Sequence, residues 1–163
     1  TYEKFEKLAD AGVVLSYDFN DNFTEEDIER IAPCISVGFF SCSHLGEVEI
    51  KLVLKKAVSL GCKIVIGTRG KESAIAYNGE KYFYEDIVNV KATDTMGAGD
   101  SFISAFLTNY LLAEADESMS ADSKITTSLK AANAYAATVV VKDGSLGVGY
   151  DVDPDRLSDI LNI

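Results

Sequence analysis

The alternation of apolar runs with helix-like segments constrains this chain more than any other property. Val13-Val14-Leu15-Ser16-Tyr17, Ile35–Phe40 and Cys62-Lys63-Ile64-Val65-Ile66 are short, nearly unbroken apolar runs. Such strands are buried on both faces, and strands alternating with helices argue for a parallel sheet covered by helices. The intervening signals are helical. Tyr2–Ala11 reads as a helix stopped by Gly12. Thr24 suits the N-cap of a helix running to about Ile31, with Glu25, Glu26 and Asp27 in the first turn, where negative charge is favoured. Ser43 can cap a helix to Leu60, ended by Gly61, with Val48, Leu52, Val53, Ala57 and Leu60 at helical spacing.

The second half differs. Ser73–Tyr77, the turn Asn78-Gly79 and Lys81–Tyr84 predict a β-hairpin with a two-residue turn. A helix is expected from about Ala98 to Leu112, with Phe102, Ile103, Phe106, Leu107, Tyr110 and Leu111 as its buried face. The acidic segment Glu114–Asp122 reads as a surface loop, and Ser123–Val141 as a second long helix through Leu129, Ala132, Ala136 and Val140. Gly144, Gly147 and Gly149 break the next connection, and Asp153-Pro154 starts a short terminal helix, Pro being suited to a first helical position. With 163 residues, 47% of them hydrophobic, and no linker or repeat, residues 1–163 are expected to form a single α/β domain.

A net charge of −11 argues against nucleic acid and anionic membrane surfaces as partners, because both reward basic patches. No apolar run reaches transmembrane length and Thr1-Tyr2-Glu3-Lys4 carries no signal-peptide pattern, so a cytoplasmic location is expected. Cys34, Cys42 and Cys62 sit in apolar contexts as an odd, unpaired set and read as thiols in or near the core. Cys42-x-His44 is too thin for a structural zinc, which needs about four ligands. His44, the only histidine, reads as a polar residue between a strand and a helix.

Chemistry concentrates in Asp94-Thr95-Met96-Gly97-Ala98-Gly99-Asp100-Ser101-Phe102. Small residues there let a ligand approach the backbone directly before an apolar helix. A helix start offers unpaired N–H groups and the positive end of a dipole, suited to a phosphate or a developing oxyanion. Asp100, in that first turn, could accept a proton from a hydroxyl placed against it. An ordinary glycine turn with a first-turn charge is the plainer account of so short a string. Two common phosphate motifs fail. Gly70-Lys71 is followed by Glu72, where a P-loop needs Ser or Thr, and Gly97-Ala98-Gly99 lacks the third glycine of a dinucleotide fingerprint.

The full Asp-Thr-x-Gly-Ala-Gly-Asp string closely resembles the C-terminal signature of the PfkB/ribokinase family of small-molecule kinases. The resemblance extends through Asp18-Phe19-Asn20, Thr68-Arg69-Gly70, the hairpin and the alanine-rich segment Ala131–Ala137. It implies a three-layer, Rossmann-like (ribokinase-like) sheet flanked by helices, and ATP-dependent phosphoryl transfer to a sugar or sugar derivative. By the same resemblance Asp100 is the base on the substrate hydroxyl. Gly97, Ala98 and Gly99 form the anion hole for the γ-phosphoryl. Thr68 and Gly70 approach the nucleotide phosphates, Asn133 lies near the adenine, and Asp94 falls where many relatives ligate a monovalent cation such as K⁺. ATP and Mg²⁺ are the implied cofactors. Tyr17, Asp18 and Asn20, at a strand's carboxyl end, are candidates for contact with substrate or nucleotide phosphate, or else form a capped turn. Within the family, Gly67–Gly70, Phe39-Phe40-Ser41 and Asp94–Gly97 look most like the fructoselysine 6-kinase branch.

The chain departs from the family pattern twice. Many members carry an Asn-x-x-Glu that organises Mg²⁺, whereas the matching region here, Phe40–Glu49, has none. Glu47 or Glu49 would have to substitute, or the nucleotide would carry most of the Mg²⁺. Members also begin with a substantial N-terminal portion that supplies central strands, the substrate lid and most sugar contacts. A chain without it would be inactive alone, and its sheet would expose an apolar edge that self-associates or pairs with the missing N-terminal half. A non-catalytic nucleotide-binding or regulatory module, and a nucleoside or vitamin kinase of the same fold, are the competing readings.

Overall fold

The computed structural model describes residues 2–144. Gly147, Gly149 and the terminal helix expected at Asp153-Pro154 lie outside them. In chain order the elements are α1 (Tyr2–Asp10), β1 (Ser16–Asp18), α2 (Glu25–Ile31), a 3-10 turn (Ala32–Cys34), β2 (Val37–Ser41), α3 (Glu47–Leu60), β3 (Ile64–Arg69), β4 (Glu72–Tyr77), β5 (Tyr82–Glu85), α4 (Ala98–Glu114) and α5 (Ala121–Val140). Among the described residues the strands form one sheet in the order β1-β2-β3-β4-β5. The first three strands are parallel, joined by crossovers through α2 and α3, and β4 and β5 are added antiparallel. The alternation in the first half and the hairpin pattern in the second thus yield one mixed, helix-flanked sheet.

Each face of the sheet has its own core. On one face Phe19, Phe40, Ile50, Leu54, Ala57, Val65 and Ile75 pack with α2 and α3. On the other, Val37, Phe39, Ile64 and Ile66 pack against Phe102 and Phe106 of α4 and Ile125, Leu129 and Ala132 of α5. Alternate strand residues feed opposite cores, as the pleat requires. The described helices include none long and apolar enough to cross a membrane.

Several boundaries move for identifiable reasons. The strand expected at Val13–Tyr17 is shorter, because the Val13 N–H donates to Leu8 O at 3.0 Å and closes the end of α1. Val14 is 68% exposed instead of buried. The edge of β1 away from β2 has no partner strand among the described residues. Ser43 does not cap α3. Residues Cys42–Leu45 form a turn (Leu45 N–H to Cys42 O, 3.0 Å), and the helix starts after Gly46, whose N–H donates to the Glu49 carboxylate at 2.8 Å. The buried face of α3 is therefore Ile50, Leu54 and Ala57, with Val48 and Leu52 exposed. Thr24 does cap α2, accepting the Asp27 N–H in a reciprocal capping box.

The hairpin also rearranges. Tyr77 pairs with Tyr82, so residues 78–81 make a four-residue loop held by Asn78 Oδ1, which accepts the N–H groups of Glu80 (3.0 Å) and Lys81 (2.8 Å). The two-residue turn lies one connection earlier, at Gly70-Lys71 between the paired Arg69 and Glu72. Gly70 takes φ +63°, which glycine adopts without strain. On α4, Leu111 is exposed, at the far end of the helix from the sheet contacts made by Phe102 and Phe106. Helix α5 starts at Ala121, slightly before the expected Ser123, with Ser120 as its cap accepting the Ser123 N–H at 3.2 Å.

Candidate active site

The start of α4 is built by a succession of short-range bonds. Asp94 folds its carboxylate onto the Met96 N–H (2.9 Å), while the Thr93 and Asp94 N–H groups donate to Val140 O at 2.7 and 3.2 Å. These last bonds engage a carbonyl at the end of α5 and hold the segment beside it. Gly97 then takes φ +76°, a left-handed conformation that disfavours any side chain, and serves as the N-cap. The Ala98 N–H reaches back to Thr95 O (3.2 Å) and that of Ser101 to Gly97 O (2.9 Å), leaving Gly99 and Asp100 without backbone acceptors among the described residues. A Cβ on Gly99 would meet nothing within 4 Å.

A cleft of about 960 Å³ opens beside this helix start. Its wall includes the β3–β4 turn, with Thr68, Gly70 and two cations, Arg69 and Lys71. Val88 and Val90 of the 86–97 segment and Ala136 and Ala137 of α5 add apolar surface. Ala98, Gly99 and Asn133 also line it. Lys91 is the third cation on the wall. Arg69 pairs with Glu72 across the turn, whereas Lys71 and Lys91 form no ion pair among the described residues. Three cations around one cleft in so acidic a chain favour an anionic ligand.

Asp100 is exposed and is not part of the cleft wall. It stands instead on the side of β1, within electrostatic reach of Asp18. Asp18 pairs in register with Phe39, which belongs to the α4 side of the sheet, so both carboxylates come to the same end of that face. Burial pushes the Asp18 carboxyl above its usual range; the Asn20 N–H, bonded to Oδ1 at 2.9 Å, opposes this, and the charges of Asp100 and Asp21 add to it. Asn20 itself adopts φ +57°, a conformation Asn tolerates better than most residues. It borders a second hollow of about 420 Å³ with Tyr17, Asp21 and Phe23. The start of α4 therefore contributes Ala98 and Gly99 to the cleft and an exposed Asp100 within electrostatic reach of Asp18.

The described residues do not assemble a metal centre of their own, for no group of three or more His, Cys, Asp or Glu is placed to hold an ion. The two carboxylates that could stand in for the missing Asn-x-x-Glu are already engaged. Glu49 closes the α3 capping box, and Glu47 pairs with Lys51 at 2.7 Å and accepts the Tyr84 hydroxyl at 3.1 Å. Cys42 and Cys62 are buried free thiols, which burial pushes up to about 11 and about 12, and Cys34 is half-buried. His44 lies exposed in the β2–α3 loop.

Sequence reasoning missed part of this site. The apolar wall at 87–90 and the cations Lys71 and Lys91 carried no motif. Ser43 lies beside the turn without lining the cleft: the Cys42 N–H extends the β2–β3 ladder to Thr68 O (2.7 Å) and brings the Ser43 Cβ to 3.7 Å from where a Cβ on Gly70 would sit.

Residues 1–148 match the family model described as pfkB family carbohydrate kinase. The chain belongs to that family. Fructosamine kinase FrlD of Bacillus subtilis is 36% identical over 147 residues, covering 90% of this chain and 48% of the relative. Fructoselysine 6-kinase of Escherichia coli is 33% identical over 105 residues, 64% of this chain and 40% of that protein. The chain thus spans about half the length, or less, of these curated relatives. Two solved structures share the fold. A microbiome-derived acarbose kinase has a TM-score of 0.72 at 21% identity, covering 99% of this chain and 52% of that one. Aminoimidazole riboside kinase of Salmonella enterica, complexed with aminoimidazole riboside and an ATP analogue, has a TM-score of 0.69 at 22% identity, covering 99% and 57%. The sheet is accordingly part of a ribokinase-like fold.

Proposed function

We propose that this pfkB-family chain carries the nucleotide-binding and catalytic part of an ATP-dependent kinase acting on a hydroxyl of a sugar or sugar derivative, a fructosamine such as fructoselysine being the favoured class. The observation that carries the reading is the first turn of α4, where Ala98 and Gly99 line the cationic cleft and the neighbouring Asp100 is exposed and within electrostatic reach of Asp18. A nucleotide laid along the cleft would set its base against the apolar surface near Asn133 and its phosphates near Thr68 and Gly70. The γ-phosphoryl would then meet the Gly97–Gly99 backbone. An acceptor alcohol beside Asp100 would give its proton to that carboxylate as its oxygen attacks the γ-phosphorus. The bond from that phosphorus to the β–γ bridging oxygen breaks, and ADP leaves with the bond's electrons. Such transfer asks mainly for positioning and charge stabilisation, which a helix start and nearby cations supply.

Mg²⁺ would arrive on the nucleotide, given that Glu47 and Glu49 are engaged, and would neutralise phosphate charge. Asp94 is the proposed ligand for a monovalent cation. The free edge of β1, flanked by the exposed Val13 and Val14, is proposed to receive another strand, from a second copy or from an N-terminal half like that of the longer relatives. The substrate lid and most sugar contacts would come with that half, in a cytoplasmic enzyme. In the complete enzyme Asp100→Asn is expected to lower kcat roughly 10²–10⁴-fold, the usual worth of a general base, with little change in nucleotide affinity. Near-normal turnover in that variant would remove Asp100 from the role.

A further inference from the structure

Each of residues 87–92 lines the cleft, and the run they form is pinned to α5 at both ends. Ahead of it, Nδ2 of the buried Asn133 donates to Glu85 O and Asp86 O, each at 3.2 Å. Behind it, the Thr93 and Asp94 N–H groups donate to Val140 O at 2.7 and 3.2 Å. Between the pins the backbone makes no hydrogen bond among the described residues, and no helix or strand includes it. Ile87, Val88 and Val90 are 37%, 46% and 37% exposed. Lys91 is exposed and forms no ion pair among the described residues. Few contacts of the protein's own hold such a span, since local stability follows buried apolar contact and backbone bonding. A ligand in the cleft would supply both, covering apolar surface and pairing the ammonium.

We propose that residues 87–92 are a strap ordered by the bound ligand, closing on it between the two pins and laying the Lys91 ammonium on its phosphates. The proposal rests on the cleft being the nucleotide site. Of the three cations on the wall, Arg69 is already paired with Glu72, and Lys71 belongs to a tight turn fixed by the Arg69–Glu72 pairing of β3 and β4. Lys91 is the one carried on a span free to move. The movement is local, because Asn133 and Val140 both belong to α5, which packs on the sheet through Ile125, Leu129 and Ala132. The ends of the strap therefore stay in place while its middle settles.

The test is amide hydrogen exchange across residues 87–92, in the protein alone and with Mg-ATP at a concentration that calorimetry shows to be saturating. Unbonded amides should exchange fast in the protein alone and about tenfold or more slowly with Mg-ATP, while the amides of α3 serve as an unchanged reference. A ligand that only lies beside the strap leaves those amides exchanging as before. Equal exchange with Mg-ATP bound thus overturns the proposal and leaves the cleft a nucleotide site. No binding of Mg-ATP overturns the nucleotide reading and the proposal together. Lys91→Ala should weaken Mg-ATP binding about tenfold, the worth of one hydrogen bond to a charged group, and Lys91→Arg should restore most of it. Unchanged affinity in Lys91→Ala overturns the part given to Lys91. The wild-type exchange experiment stands whether or not the variants fold.

Discussion

Gly67 and Gly99 are the same residue put to opposite uses. Gly67 lies in the middle of β3, where a Cβ would come within 3.0 Å of Ile50 Cγ2 and 3.4 Å of Cys42 Sγ. Helix α3 can approach the sheet this closely only because that side chain is absent. At Gly99 a Cβ would meet nothing within 4 Å, and the backbone has no positive φ to demand glycine. Packing therefore places no such demand at Gly99, which lines the cleft. A glycine surrounded by its own protein reports packing, whereas a glycine facing empty space reports what the space is for.

The largest effect should come from Gly67→Val. Its methyl groups overlap Ile50 and Cys42, and overpacking of a filled core costs about 1–3 kcal/mol, read as a lower denaturation midpoint. Unchanged stability would mean that α3 can retreat and that the close approach is not needed. Gly99→Val should do the reverse. Stability should stay within about 0.5 kcal/mol of the parent, as for most exposed sites. Affinity for Mg-ATP should fall by about tenfold or more, the worth of one lost contact to a charged group. Loss of stability with full binding would refute the contrast.

Asp18 gives a smaller, pH-dependent test of the same rim. Its folded-state pKa lies above the ordinary 3.8, so the native state holds this proton more tightly than the unfolded chain does. Stability therefore falls as pH rises from that value through the raised one. Asp18→Asn keeps an oxygen for the Asn20 N–H and removes the charge. The variant should melt higher than the parent at neutral pH, with the difference vanishing below pH 3.8. A constant difference across that range would show that the charge is not the cause.

Much of this was legible in the residues because it is local. Thr24 ahead of Glu25, Glu26 and Asp27 specified the N-cap of α2, and the Gly97-Ala98-Gly99-Asp100 string specified a helix start with a carboxylate in its first turn. Val48 and Leu52 on α3 misled for the complementary reason. They fit a helical period as well as Ile50 and Leu54 do, and only the position of the sheet selects which stripe is buried. Asn78-Gly79 resembles a two-residue turn, yet the Tyr77–Tyr82 pairing and the Asn78 side chain open it to four residues.

The sequence by itself determined the alternation of elements, the glycine-bearing start of α4 and the family, since each depends on neighbouring residues or on a contiguous motif. The tertiary structure alone decided that Thr68, Lys91 and Asn133 share one cleft, that Asp18 comes within reach of Asp100, and that the amide of Asn133 is locked by carbonyls 47 and 48 residues away. These groups meet because the sheet order and helix packing bring distant segments to one rim, and no local preference in the chain encodes those distances.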